Sequence, residues 1–278
     1  FEKDIRRITR SMAKVGQQMT RAITLPIGLI GVASIKTAAD FETSMNRVRA
    51  VSGATGEDFA ELEETARHLG ETTQFSASEA ADAMSFLAMA GFDANKIIGA
   101  MPATLNLAAA AQIDMGQAAD IASNIMSGFN LNAEDLTGAV DVMAKTFTSS
   151  NTDLVQLGDA MKYVAPISAG LGVSIEETAA AVGILGNAGL QGQMAGTGLR
   201  KVLTTLAAES DRLGIATVDA TGDMRPLADI MDDLRERGLS TTEAINIFGQ
   251  RAGPAISVLL SAGGDALRDF TTELENAG

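Results

Sequence analysis

Four times the chain writes the same helix opening: an apolar residue, a capping residue, and a Glu or Gln three positions after the cap. The copies are Phe75–Glu79, Ile113–Gln117, Val173–Glu177 and Leu239–Glu243, with caps at Ser76, Asp114, Ser174 and Ser240. In this pattern the cap side chain accepts from the third helical N–H, and the Glu or Gln side chain reaches back to the N–H of the cap. Ala-rich runs follow, and the first three close near Gly91, Gly128 and Gly189, as helix C-termini do. The chain therefore reads as all-α, an array of about ten to twelve short helices led by an amphipathic or coiled-coil helix.

Within the array, helices are expected over about 76–90, 95–111, 115–127, 133–148, 152–164, 175–188 and 197–209. Caps are expected near Ser76, Asp93, Asp114, Asn132, Asn151 and Ser174. Their spacing of about twenty residues suits helices stacked in pairs. A helix near 37–51, a Ser52–Gly56 turn and an acidic helix from Glu57 precede the array. Residues 214–219 read as an extended segment before a Thr221–Asp223 turn. Helices follow from Pro226 to Arg237 and from Thr241, the latter broken at Gly253–Pro254. This divides the chain into 1–40, 41–210 and 211–278.

Residue types exclude most chemistry. Cysteine is absent, which removes disulfides, thiolate metal sites and Cys nucleophiles. The single histidine, His68, rules out paired-His zinc sites. It lies off the apolar stripe of Phe59, Leu62, Ala66 and Leu69 and reads as a solvated surface residue. The acids Glu57, Asp58, Glu61, Glu63 and Glu64 crowd a helix start, where the helix dipole favours them. Gly189, Gly192, Gly196 and Gly198 form a Gly-rich stretch that follows a helix and lacks the Gly-Lys-Ser/Thr ending of a phosphate cradle. It reads as an inter-helix connection, with Thr197 as the next cap. No catalytic residue, cofactor or metal is implied.

Charge is unevenly placed. The chain carries −14 in total, but residues 1–49 hold nine Lys/Arg against four Asp/Glu, so the remainder is strongly acidic. An acidic body disfavours specific nucleic-acid binding, which rests on neutralising phosphates. The basic start suits anionic lipid or acidic protein, or is simply a solvated helix face. Ile5, Ile8, Met12, Val15 and Met19 alternate steps of three and four. They form either a coiled-coil seam or an amphipathic face packing on its own domain, with Pro26 expected to end that helix. Ala22–Ile35 is uncharged and carries Ile23, Leu25, Ile27, Leu29, Ile30, Val32 and Ile35. At fourteen residues it is shorter than the ~20 needed to span a bilayer. It reads as a packing segment or an interfacial, membrane-active one.

Several segments, taken in order, resemble the core region of tailed-bacteriophage tail tape measure proteins. They are Thr24–Pro26, Phe41–Glu42, Ser52–Gly56, Phe75–Ala81, Leu87–Gly91, Met101–Pro102, Leu105–Ala109, a Tyr163–Pro166 turn and Ala195–Arg200. The resemblance covers about residues 15–205; Gly198 departs from it, where Ala is more usual. It implies a structural role inside a virion tail, in a protein made in the bacterial host cytoplasm. Such proteins set tail length during assembly and leave ahead of the DNA. The implied partners are tail tube, tail tip or baseplate and tail assembly chaperone proteins, with self-association through the coiled coil. The alternative reading, resting on residues 22–35 and the basic start, is a membrane-active or pore-associated helical protein; it is compatible with the first, because DNA delivery passes a host inner membrane. A single rod of 278 residues would span about 420 Å at 1.5 Å per residue. The prolines and Gly turns forbid such a rod, so a folded helical module is expected, with the Ala-rich, aromatic-poor core easing its rearrangement into slender helices within a tube.

Overall fold

The computed structural model describes the backbone of residues 25–277, with side chains from Thr37 onward except that of Thr241. The chain order is α1 (Leu25–Ser52), α2 (Gly56–Thr72), α3 (Ala77–Met89), α4 (Ala94–Ala111), α5 (Met115–Phe129), a 3-10 turn (Ala133–Asp135), α6 (Leu136–Ser149) and α7 (Leu154–Gly170). Then come α8 (Ile175–Asn187), α9 (Gly192–Ala208), the single turn α10 (Ser210–Leu213), α11 (Leu227–Glu236), α12 (Thr241–Phe248) and α13 (Gly253–Glu275). Extended pairing among the described residues is confined to the Val218–Met224 bridge.

Local sequence accounts for most helix starts. Ser76 accepts from the Glu79 N–H at 3.2 Å while the Glu79 carboxylate accepts from the Ser76 N–H at 2.7 Å. Ser240 and Glu243 repeat this reciprocal pair. Asp93 and Asp114 cap α4 and α5 through the N–H groups of Lys96 and Gln117. The start of α7 differs from expectation. Its cap is Asp153, paired with Gln156, whereas the Asn151 N–H donates to the Asn187 side chain. Helix ends use left-handed Gln112 and Asn130, and glycines such as Gly91 at φ 89°. Gly128 is the next-to-last residue of α5, which closes at Phe129 before the left-handed Asn130.

Helices stack by alternation. The odd-numbered series α1–α3–α5–α7–α9 forms one layer and α2–α4–α6–α8 with α13 the other, each helix up to α9 packing against its second neighbour in sequence and α13 closing the second layer on α8. Local side-chain caps set the starts of α3, α4, α5, α7, α8 and α12, and turns of a few residues return the chain to the opposite layer. Between the layers lies one continuous apolar core reaching from Phe41 to Leu274. A residue-210 division therefore separates helices that share a core, and a residue-40 division falls within α1.

Small side chains set how closely the helices of the first layer approach. Ala80, Ala81 and Ala83 of α3 and Ala118, Ala119 and Ala122 of α5 are buried. At the α5–α7 contact, a Cβ on Gly158 would lie 2.8 Å from Ile121, and one on Gly128 would lie 2.8 Å from the Ala165 Cβ. At α7–α9, a Cβ on Gly196 would collide with the backbone of Ala160. The Gly-rich stretch is thus not a loop: Gly192 opens α9, Gly196 and Gly198 are buried inside it, and Gln191 rather than Thr197 precedes it. Glycine supplies close backbone approach here, a packing role that loop-like composition disguises.

Pro166 sits differently from expectation. Pro26 lies in the first described turn of α1, and the helix it is expected to end lies outside the described residues. The supposed Tyr163–Pro166 turn is inside α7; the Pro166 ring faces α5 at Gly128, which has no side chain to obstruct it. The break expected near Gly253–Pro254 is present: α12 stops at Phe248 and Pro254 lies in the first turn of α13.

At the first end of the array two aromatic rings are covered reciprocally. Arg49 of α1 stands 3.8 Å over the Phe59 ring of α2, and Arg67 of α2 stands 4.4 Å over the Phe41 ring of α1. Such guanidinium–ring contacts are attractive and leave the charge at the water's edge.

Candidate interaction surfaces

Ile5, Ile8, Met12, Val15, Met19 and Ile23 lie outside the described residues. Leu25, Ile27, Leu29, Ile30, Val32 and Ile35 fall on the first half of α1, so this apolar run is helix continuous with the charged stretch that follows it. Among the described residues, no helix is long and apolar enough to cross a membrane.

His68 is exposed on α2, and Phe59, Leu62 and Ala66 turn inward. Glu57, Asp58, Glu61 and Glu64 are exposed along the same helix. No group of three or more His, Asp or Glu among the described residues is arranged to hold a metal. The large exposed apolar side chains, Val51, Met89, Met194 and Ile245, are scattered, as on most protein surfaces. Met89 and Phe86 border a depression of about 230 Å³ beside Asp120 and Asn124, between α3 and α5.

The most constrained polar cluster lies where α8, α11 and α13 meet. A cleft of about 320 Å³ is lined there by Ser174, Glu177, Pro226, Asp229, Arg268 and Glu275. Sequence pattern assigns the Glu177 carboxylate to its own cap, Ser174. Ser174 does accept the Glu177 N–H at 3.1 Å, but the carboxylate points elsewhere and accepts the Leu227 N–H, the first of α11, at 2.5 Å. Pro226 has no side-chain acceptor to offer that N–H, so a carboxylate from another helix replaces the local cap. Arg268 joins the cluster by donating to Asp229 at 3.0 Å and Asp232 at 3.3 Å.

Burial raises the Glu177 pKa above 4.5, and the charges of Asp229 and Glu275 add to this, while the Leu227 N–H opposes it. A general acid needs its proton-bearing oxygen turned toward a substrate. Here one Glu177 oxygen is held by a backbone N–H and Asp229 is held by Arg268, an arrangement that caps and clamps helices.

The raised value has a testable sign. The folded chain binds the Glu177 proton more tightly than the unfolded chain, so this group adds stability as pH falls through its folded value toward 4.5, and fully below that. Glu177→Gln does not titrate there. The urea midpoint of the wild type relative to this variant should therefore rise between pH 7 and pH 4.5 and then level off. A gap that shrinks on acidification would contradict a buried, ionised Glu177.

Beyond the array, residues 215–226 are tied down by polar contacts. Asp219 Oδ1 accepts the Thr221 hydroxyl at 2.6 Å and the N–H groups of Thr221, Gly222 and Asp223 at 2.8–3.1 Å, closing the turn. The Thr221 hydroxyl, then these N–H groups, hold the Asp219 carboxyl below its usual range. The Met224 N–H donates to the Leu171 carbonyl at 2.8 Å, anchoring the segment to the end of α7.

Comparison with known proteins gives these surfaces a context. The chain is 36% identical over 283 aligned residues to the "Tape measure protein" of Pneumococcus phage Dp-1, covering 97% of the chain and 25% of that protein. It is 33% identical over 261 residues to the "Probable tape measure protein" of Escherichia phage P2, covering 88% of the chain and 32% of the relative. The chain thus spans a quarter to a third of the length of these curated relatives. No solved structure matches it. The sequence pattern of the family described as "Phage-related minor tail protein" matches residues 63–253, which run from the middle of α2 to the start of α13 and make up more than half of the chain. The two-layer helical array is therefore a fold of phage tails: the chain belongs to the phage-related minor tail protein family.

Proposed function

We propose that this chain is a folded, non-catalytic module of a tape measure protein, working in the assembly of a phage tail and in delivery of the genome. The observation that carries this reading is 36% identity, over 97% of the chain, to a tape measure protein. The array supports it, because the helices pack through Ala and Gly and polar side chains are spent on caps and clamps. In this reading the module sits in the virion tail and contacts tail tube, tail tip or baseplate and assembly chaperone proteins. Ile5, Ile8, Met12, Val15 and Met19 join copies of the chain, and residues 22–35 touch the host inner membrane during delivery. Residues 1–40 are then a joining segment, 41–210 the core module and 211–278 its extension.

Within the tube the two layers separate into slender helices. Separating alanines re-exposes less apolar area per residue than separating leucines or aromatics, at about 25 cal/mol per Å². Electron microscopy of tails tests the ruler directly. An in-frame deletion of residues 94–170 in the phage gene should shorten the tail by about 1.5 Å for each residue removed if that region is extended as helix in the tube. Tails of unchanged length would show that this module is not part of the measured span.

A further inference from the structure

Two helical segments in the C-terminal part of the chain take a cap from another helix. The first is α11, whose Leu227 N–H is taken by Glu177 of α8. The second lies within α13, where Gly263 leaves helical geometry at φ 84° and ψ 167°, so that Gly264 opens a new helical segment. Its N–H donates to Asp232 Oδ1 of α11 at 3.0 Å. Arg268, one turn further along α13, donates to the other Asp232 oxygen. Each carboxylate thus caps the next element in a relay from α8 to α11 to the second half of α13.

We propose that the second half of α13, residues 264–275, is a strap that opens from the array, with Asp232 as its latch and Gly263 as its hinge. The hinge is built for this: φ 84° is a conformation that other residues rarely adopt, and it directs the two halves of the helix along different axes. Without the Asp232 carboxylate, the Gly264 N–H recovers a partner only by joining the preceding turn, which straightens α13 and swings the strap off α8. The first half of α13 stays in place, because Ile256 and Leu259 are buried in the main core. The strap itself is held by a separate set of anchors, which include the Lys145–Glu273 and Arg268–Asp229 ion pairs. Leu267 and Leu274 are buried, and the Phe270 ring fills a notch at Gly183 of α8, where a Cβ would come within 2.6 Å of it. Opening uncovers that notch and removes the α13 end of the second layer, leaving α2, α4, α6 and α8 packed on one another.

Hydrogen exchange of the full chain, read by mass spectrometry, tests the strap independently of any role in a tail. Peptides over 264–276 should exchange through a local opening, faster than those of α5 and α7. Asp232→Ala should speed exchange of 264–276 by about tenfold to a hundredfold, the effect of losing a charge-assisted hydrogen bond, without changing 115–170. Asp232→Asn retains an acceptor and should have a smaller effect. Gly183→Val evicts the Phe270 ring without touching the latch, and should give the same local signature. Uniform acceleration across the chain in Asp232→Ala, or a 264–276 segment that stays as protected as α5 in both Asp232→Ala and Gly183→Val, would overturn the proposal.

Discussion

Gly196→Val is expected to lower the melting temperature of the chain by about 10 °C, or to prevent folding, whereas Gly99→Ala is expected to raise it by about 3 °C. Both glycines lie inside helices, Gly99 in α4 and Gly196 in α9. Their surroundings are opposite. A side chain at Gly196 meets the backbone of Ala160, which cannot step aside without moving α7 away from α9. Overpacking against side chains typically costs about 1–3 kcal/mol, and a clash with backbone stands at or above the top of that range. Gly99 is exposed within α4, and a Cβ added there would have no neighbour within 4 Å, so alanine gains about 1 kcal/mol of helix propensity at no steric cost. Thermal melts followed by circular dichroism decide both. A Gly196→Val protein melting with the wild type would mean that α7 and α9 are not in backbone contact.

The second large effect is expected at Phe248, the largest fully buried side chain. It ends α12, a helix of two turns that packs on α9 and α13. Phe248→Ala should cost about 3–5 kcal/mol, combining lost transfer energy with a residual cavity. Urea denaturation measures the loss. A cost below about 1 kcal/mol would indicate that the site collapses freely, or that α12 contributes little to the shared core.

Much of the fold is legible in the sequence because the signals are local. Ser76 with Glu79, and Ser240 with Glu243, announce helix starts in four residues, and the structure makes both pairs reciprocal. Positions inside helices mislead where the deciding contact is distant in sequence. Gly192, Gly196 and Gly198 resemble a flexible connection until α7 is placed beside them, and Pro166 resembles a turn until Gly128 is seen to make room. The Glu177 case is similar. Its spacing from Ser174 is right for a capping box, yet an uncapped N–H fifty residues later competes for the carboxylate and wins it. The alternation of layers leaves a trace in the cap spacing, but nothing local to Asp232 or Gly264 marks them as a pair.

The reciprocal guanidinium–ring pairs on α1 and α2 bear on how copies meet. Repeated helical arrays are prone to grow into fibres, because each terminal repeat offers the surface that its successor would bury. Here a molecule approaching that edge meets the guanidinium groups of Arg49 and Arg67 above the rings of Phe59 and Phe41. Docking a further helix pair would strip water from both cations, a desolvation cost that the aromatic faces alone do not offset. A partner that covers this edge must therefore supply acceptors for both guanidinium groups.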